Sequence, residues 1–312
     1  MKSTVQKVID MALSMGANEC EVIINKGSSL SLKANEGKLE EHKVSGSQVV
    51  GVRLKNAGRL GTSYSENFED ESLRTMVKTA VDTSKYSKLN EFESISAKDD
   101  GSKPDATNEY TWQEDQTSAA DKVSAILKLE GDVLAKGNPF KSAPYNSFSE
   151  SEGEKIIANH HGLYKTMKRR YFSAYTSALV EQDGKQSMHY YGSSALTFKG
   201  LDLEKCINES CDQALGLLNG TPVKTGQYSV VFDTDNLAEL WGCFLRVFSA
   251  KAAIDKVNPW AKKLGNTVAS KSLTLIDEPR FKSGLSYQSF DDEGVKSESL
   301  KLIDQGVLTN FL

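Results

Sequence analysis

The chain contains 312 residues, enough for about two domains at the usual ~150 residues per domain. Hydrophobic residues make up 38% of it and charged residues 26%, so it can bury a core, and a fully disordered protein is excluded. Its 38 lysines and arginines and 42 aspartates and glutamates give a formal net charge of −4. A weakly acidic chain lacks the positive excess that phosphate recognition needs, so nucleic acid is not expected as a partner.

The sequence also argues against export and membrane insertion. No stretch reaches the ~20 apolar residues that a membrane-spanning helix needs. Residues 1–17 have the pattern of an amphipathic helix, without the apolar stretch and cleavage site of a signal peptide. The four cysteines, Cys20, Cys206, Cys211 and Cys243, form no CxxC pair. We therefore expect buried thiols in a reducing compartment and a cytoplasmic protein.

The first 85 residues alternate between helix and strand patterns. Apolar residues at helical spacing predict a first helix that ends near Gly16 and a second helix over 73–81. Between them, alternating residues and turn signals at Asn35–Gly37 and Asn56–Gly58 predict antiparallel strands. These strands are expected at 19–25, 30–34, 39–44, 47–54 and 59–64. The order indicates an α+β domain over residues 1–85.

The rest of the chain is predicted to contain a linker, a helix and a β-rich domain. Polar and turn-forming residues at Asp99–Asp105 indicate a linker or exposed loop, and a helix pattern follows, so 86–140 is interpreted as linker and helix. Over 141–312, alternating segments predict an antiparallel β-rich domain with a few packed helices. Its strands are expected at 155–159, 166–181, 186–198, 228–232 and 272–276.

A helix predicted over Asn236–Ser249 has the strongest apolar stripe of the chain. The stripe covers more than ~100° of the helix surface, which is typical of a helix that faces a core. Its members are Leu237, Leu240, Trp241, Phe244, Leu245 and Phe248.

Most common catalytic motifs are absent from the sequence. There is no GxGxxG fingerprint after a strand, no GxxxxGK[ST] loop and no GxSxG elbow. The pair His160-His161 precedes Gly162. Neighbouring side chains on a strand point to opposite faces, so we expect a turn feature rather than a shared metal site.

Two charged clusters each allow more than one interpretation. The acidic run Asp291-Asp292-Glu293 precedes Gly294. It is either a site for a cation or a general base, or an acidic turn that leads into a strand, and we favour the acidic turn. The basic run of Lys165, Lys168, Arg169 and Arg170 either balances acidic residues or holds a peptide carboxylate or a partner surface.

Several segments in this order and spacing resemble the TldD/PmbA family, described as peptide-maturation metalloproteases and as modulators of DNA gyrase. They extend over nearly the whole chain, although each is weak alone. The segments are 17–22, 51–53, 58–61, 157–162, 225–233, 273–277, 290–295 and 302–308.

The resemblance implies a two-subunit metallopeptidase. TldD-type subunits of the family carry an HExxxH helix that binds zinc, whereas PmbA/TldE-type subunits lack the ligands and pair with TldD. The matching positions here are Ala238, Glu239 and Cys243, so both histidines of the motif are replaced. The resemblance therefore implies a non-catalytic subunit without zinc of its own, a TldD-type partner that holds the zinc, and unfolded or modified peptides as substrates.

Two alternatives stay open at this point. The chain could itself be an active metallopeptidase that uses Glu239 with distant ligands. It could instead regulate DNA topology, as the older family description states, although its acidic balance disfavours this. Because family chains continue beyond the segment that ends here at Leu312, we also expect a C-terminally truncated chain.

Overall fold

The computed structural model describes residues 1–101 and 108–312, so the part of the predicted linker after Gly101 lies outside the described residues. The first helices and strands are α1 (Lys2–Ser14), β1 (Glu19–Asn35), β2 (Lys38–Asn56), β3 (Arg59–Ser65), α2 (Asp70–Ser84), α3 (Ala119–Leu134), β4 (Phe140–Ser142), β5 (Asn146–Asn159), β6 (Tyr164–Gln182), β7 (Lys185–Ala195) and α4 (Leu203–Leu217). They are followed by α5 (Thr234–Phe244), α6 (Ala250–Ile254), β8 (Leu275–Asp277), β9 (Leu300–Asp304) and β10 (Val307–Leu308). Helices and antiparallel sheets are mixed, so the predicted α+β class is confirmed.

One large antiparallel sheet organises the first 200 residues. Its strand order is β3-β2-β1-β5-β6, β7 pairs with the free side of β6, and the short β4 also pairs with β6. Strand β1 pairs with β2 on one side and with β5 on the other. The two short strands predicted at 19–25 and 30–34 are therefore one strand, because ladders on both sides hold Gly27-Ser28-Ser29 extended despite their weak strand preference.

The predicted turns between the first strands are present. Glu36 and Gly37 lie in the first turn at φ 53° and 69°, and Ala57 and Gly58 lie in the second at φ 48° and 76°. The first turn is also tied to α3, because the buried carboxylate of Glu130 accepts the backbone N–H groups of Glu36 (2.7 Å) and Gly37 (2.9 Å). A buried carboxylate with both oxygens bonded fixes the turn against that helix.

Two separate hydrophobic cores cover one face of the sheet. The first core joins α1 and α2 to one half of β1 and β2, and its buried side chains include Val8, Leu73, Val22, Val50 and Ile156. The second core joins α3 and α4 to the other half of the sheet, and its buried side chains include Ile126, Ala214, Leu32, Phe148 and Phe172. Because side chains alternate along each strand, the strand residues of both cores lie on the same face of the sheet.

The chain divides into two compact units, residues 1–220 with 282–296, and residues 221–281 with 297–312. The predicted domain boundaries at residues 85 and 140 do not coincide with these units. The reason is the pairing of β1 with β5 over Glu21–Asn159 to Ala34–Asn146, which puts residues of both predicted domains into one sheet.

Residues 282–296, here called the returning segment, belong to the first unit although they follow the start of the second in sequence. Tyr287 and Phe290 of this segment are buried. Phe290 packs with Ile157 and Met167, and the ring of Tyr287 lies 4.9 Å from that of Tyr110, centroid to centroid. The returning segment is thus an integral part of the first unit.

The second unit has its own small core around a three-stranded sheet, β10-β9-β8. Phe248, Leu302, Ile303 and Leu308 are buried there. The strand predicted at 228–232 does not form. Within residues 1–101 and 108–312, no helix is long and apolar enough to cross a bilayer.

The helix predicted over 236–249 is shorter than expected, because α5 ends at Phe244 and a 3-10 turn covers Leu245–Phe248. The prediction that its apolar stripe faces a core is wrong: Leu237, Phe244 and Leu245 are exposed. The small core of this unit forms around β9 and β10, and of the stripe it buries Phe248 and half-buries Trp241.

Three of the four cysteines are buried, as predicted, and the fourth, Cys243, is exposed on α5. Burial raises the pKa of Cys20 to about 12 and that of Cys206 to about 11, so these thiols stay protonated and unreactive at neutral pH.

Close packing of α2 on β3 gives a first testable prediction. A Cβ built on Gly61 would lie 1.9 Å from the carbonyl oxygen of Ala80, so Gly61→Ala requires the helix backbone to move. We expect a loss of about 3 kcal/mol in the free energy of unfolding, measured by urea denaturation. Gly131→Ala in α3 is the matched control, because its Cβ meets nothing within 4 Å and alanine is the better helix former. Equal stability of the two variants would contradict the prediction.

Candidate functional site

The three residues that the resemblance matches to the HExxxH zinc motif lie on α5. The helix begins after Asp233, whose side chain caps it by accepting the backbone N–H of Asn236 at 2.8 Å. Ala238, Glu239 and Cys243 are all exposed on this helix. Glu239 and Cys243 are four residues apart and therefore share one face, whereas Ala238 carries no donor atom.

These residues do not fit a zinc ion. A protein zinc site uses three or four nitrogen, sulfur or oxygen ligands, and α5 offers one carboxylate and one thiol at the motif. Across residues 1–101 and 108–312, no group of three or more His, Cys, Asp or Glu side chains is arranged to hold a metal.

The histidine pair lies in the turn between β5 and β6, where a turn feature was expected. The two rings are nevertheless close, with centroids 3.9 Å apart, because the alternation of a strand does not apply within a turn. His160 is bonded to β1: its backbone N–H donates to the Cys20 carbonyl at 3.0 Å, and its Nδ1 accepts the Cys20 N–H at 3.2 Å. Asn159 accepts the backbone N–H of His161 at 3.0 Å, so the pair is held as a structural turn.

The acidic cluster of the returning segment also forms a turn. The Oδ1 atom of Asp291 accepts the backbone N–H groups of Glu293 and Val295, both at 2.9 Å. Asp292 pairs with Lys155 at 2.5 Å, and Glu293 pairs with Arg53 at 2.8 Å. Each carboxylate is engaged with the protein, which supports the acidic-turn interpretation over a cation site.

Arg53 is shared between two carboxylates. Its Nε lies 3.2 Å from Oε1 of Glu21, whose side chain is 2% exposed, and its Nη2 lies 2.8 Å from Oε1 of Glu293. Burial raises the pKa of Glu21 above its ordinary value of 4.5, while the positive charge of Arg53 opposes the rise. This group was not predicted from the sequence. Glu21 and Arg53 are direct cross-strand neighbours, but the register shifts by one residue between Lys33 and Ala34, so counting back from the first turn would pair Glu21 with Val52 instead.

The basic run is divided between the two faces of β6. Lys165 pairs with Asp100 at 2.7 Å, and Arg169 donates to the carbonyl oxygen of Tyr287 at 3.1 Å. Arg170 lies on the opposite face and pairs with Glu150 at 3.1 Å. Lys165 and Arg170 thus balance acidic residues, one of the two expected roles.

Three family models match the chain, each over a different segment. The model of the PmbA/TldA metallopeptidase domain 1 matches residues 20–84, that of the central domain matches 112–218, and that of the C-terminal domain matches 225–312.

Relatives with similarity over the whole chain include metalloprotease PmbA from Escherichia coli O157:H7, which is 19% identical over 100% of this chain and 70% of its own length. A crystal structure from Bacteroides thetaiotaomicron, described as a candidate modulator of DNA gyrase, superposes with a TM-score of 0.88 at 22% identity, covering 99% of this chain and 71% of that one. The crystal structure of TldE from Thermococcus kodakarensis gives a TM-score of 0.83 at 18% identity, covering 99% and 69%. These structures share the fold of this chain.

The buried carboxylate of Glu21 gives a prediction on pH. A raised pKa means that the folded state binds the proton more tightly than the unfolded state, so Glu21 adds stability as pH falls through its raised pKa toward 4.5. Glu21→Gln removes this contribution. We expect the difference in free energy of unfolding, wild type minus variant, to increase from pH 7 to pH 4.5 in urea denaturation.

The control is Glu66→Gln, which removes an exposed carboxylate from the loop before α2. It should leave the pH dependence of stability unchanged. Parallel pH profiles for the wild type and Glu21→Gln would contradict the prediction.

Proposed function

Because the chain belongs to the PmbA/TldD metallopeptidase family, we propose that it is a non-catalytic TldE-type subunit of a cytoplasmic TldD/TldE complex that cleaves or matures peptides. The proposal rests on the residues of α5. This helix retains the glutamate of the motif as Glu239, but Ala238 and Cys243 stand where two histidines would hold zinc.

The chemistry of zinc peptidases supports this assignment. Zinc polarises the peptide carbonyl and lowers the pKa of a bound water, which the motif glutamate then deprotonates. Glu239 is exposed to solvent and, within the described residues, has no neighbouring ligand set that would hold such a water. The zinc of the complex is therefore expected in the TldD-type partner.

Exposed apolar side chains of the second unit support a role as a subunit. On and beside α5, Leu237, Phe244 and Leu245 are at least 40% exposed, and Val231 in the preceding segment is 95% exposed. Apolar groups concentrated in one part of a surface are typical of protein–protein contacts. The three buried free thiols agree with a reducing cytoplasm.

The isolated chain should hold no stoichiometric zinc and cleave no peptide, whereas co-expression with a TldD-type subunit should yield a co-purifying, active complex. Elemental analysis and a fluorogenic peptide assay measure the two properties. About one tightly bound zinc per isolated chain, or peptidase activity without the partner, would show that the chain is an active enzyme with an atypical site.

Glu239→Gln tests the role of the retained glutamate within the complex. We expect peptide cleavage to stay within about twofold of the wild type, because a glutamate without bound zinc activates no water. The matched control is the same substitution in the HExxxH motif of the TldD-type subunit, which should abolish cleavage. Loss of cleavage by Glu239→Gln in a complex that still assembles would assign a catalytic role to Glu239.

A further inference from the structure

A polar band separates the two hydrophobic cores on the helix-covered face of the large sheet. It consists of two rows of direct cross-strand neighbours that run over β2, β1, β5 and β6. The first row is Gln48, Lys26, Glu154 and Lys168, and the second row is Gly46, Ser28, Glu152 and Arg170. Neither row belongs to either core.

The band forms an open cleft of about 590 Å³, lined by most of both rows. The cleft exists because the second row carries no side chain at Gly46 and a small one at Ser28. Small-molecule sites in proteins measure about 300–1,000 Å³, so this cleft has room for a ligand of that class.

The two rows differ in how their charges are satisfied. In the second row, Arg170 pairs with Glu152 at 3.0 Å, and Glu152 also accepts the indole N–H of Trp112 at 3.2 Å. In the first row, Lys26, Glu154 and Lys168 form no ion pair within 4.0 Å in the ranges that the structure describes.

The two lysines of the first row lie over aromatic rings instead. The Nζ atom of Lys26 is 6.0 Å from the ring centroid of Phe68, and that of Lys168 is 5.9 Å from the ring centroid of Trp112. The negative charge of Glu154 reaches Tyr164, whose pKa is raised first by burial and second by this carboxylate. The first row thus presents three charges in the order positive, negative, positive.

The alternating charges of the first row determine which kind of ligand the cleft can bind. Neighbouring strands are about 4.8 Å apart, so Glu154 lies midway between two lysines whose Cα atoms are roughly 10 Å apart. A simple anion would meet the repulsion of Glu154, and a simple cation that of both lysines. A ligand that carries both signs a few ångströms apart satisfies all three charges.

We propose that this cleft binds a small zwitterion, namely a free amino acid or an unblocked short peptide. Its ammonium group pairs with Glu154, and its carboxylate is held by Lys26 and Lys168. This inference stands independently of the proposed function, because the binding is a property of the isolated chain and requires neither a partner subunit nor peptide cleavage.

Isothermal titration calorimetry of the full chain tests the proposal with L-alanyl-L-alanine as the probe. We expect saturable binding of one dipeptide, with at least tenfold weaker binding when the amine is acetylated or the carboxylate is amidated, and none when both ends are blocked. NMR shift perturbations in the wild type should lie in the two rows. Failure to bind at millimolar dipeptide, or equal binding of the doubly blocked peptide, would overturn the proposal.

Substitutions in the first row locate the site. Glu154→Gln, Lys26→Met and Lys168→Met should each weaken dipeptide binding at least tenfold, with unchanged thermal unfolding. Lys43→Met is the matched control, since Lys43 is an exposed lysine on β2 that faces the opposite side of the sheet, and it should bind as the wild type does. Shift perturbations outside the two rows, or full affinity in folded Glu154→Gln, would also overturn the assignment.

Discussion

The pairing of β1 on both of its edges is the constraint on which the rest of the first unit depends. Because β2 and β5 both follow its register, the side-chain sequence of β1 sets what lies at each level of the sheet. Val22 and Ile24 belong to the first core, Lys26 and Ser28 belong to the polar band, and Leu32 belongs to the second core. One strand therefore determines where helices can pack and where the sheet surface stays open.

The helices and turns whose formation depends on neighbouring residues could be predicted from the sequence. The first two helices follow from apolar spacing, and the turns at Asn35–Gly37 and Asn56–Gly58 follow from residues that accept positive φ. The length of β1 could not be predicted in this way, because Gly27-Ser28-Ser29 is held extended by partners that are distant in sequence. One sheet spans the predicted boundary at residue 85 for the same reason.

The site required both local and long-range information. The resemblance matched Ala238, Glu239 and Cys243 to the zinc motif from a single segment, since the spacing of a helical motif is local. The prediction that α5 faces a core was wrong. An apolar stripe indicates that a helix packs against another surface, but it does not indicate whether that surface belongs to the same unit. The shared Arg53 and the charged row across β1, β5 and β6 depend on strand register, so no single segment reveals them.

The returning segment makes the order of biosynthesis matter. A ribosome releases the chain from its N-terminus, and domains generally fold as units as they emerge. Here the last strand of the first unit's sheet ends at Ala195. Phe290, which packs against Ile157 and Met167 of that sheet, is synthesised almost one hundred residues later. Until then the nascent sheet carries an unfilled apolar groove and a Lys155 without Asp292. The first unit therefore reaches its final form only after most of the second has been synthesised.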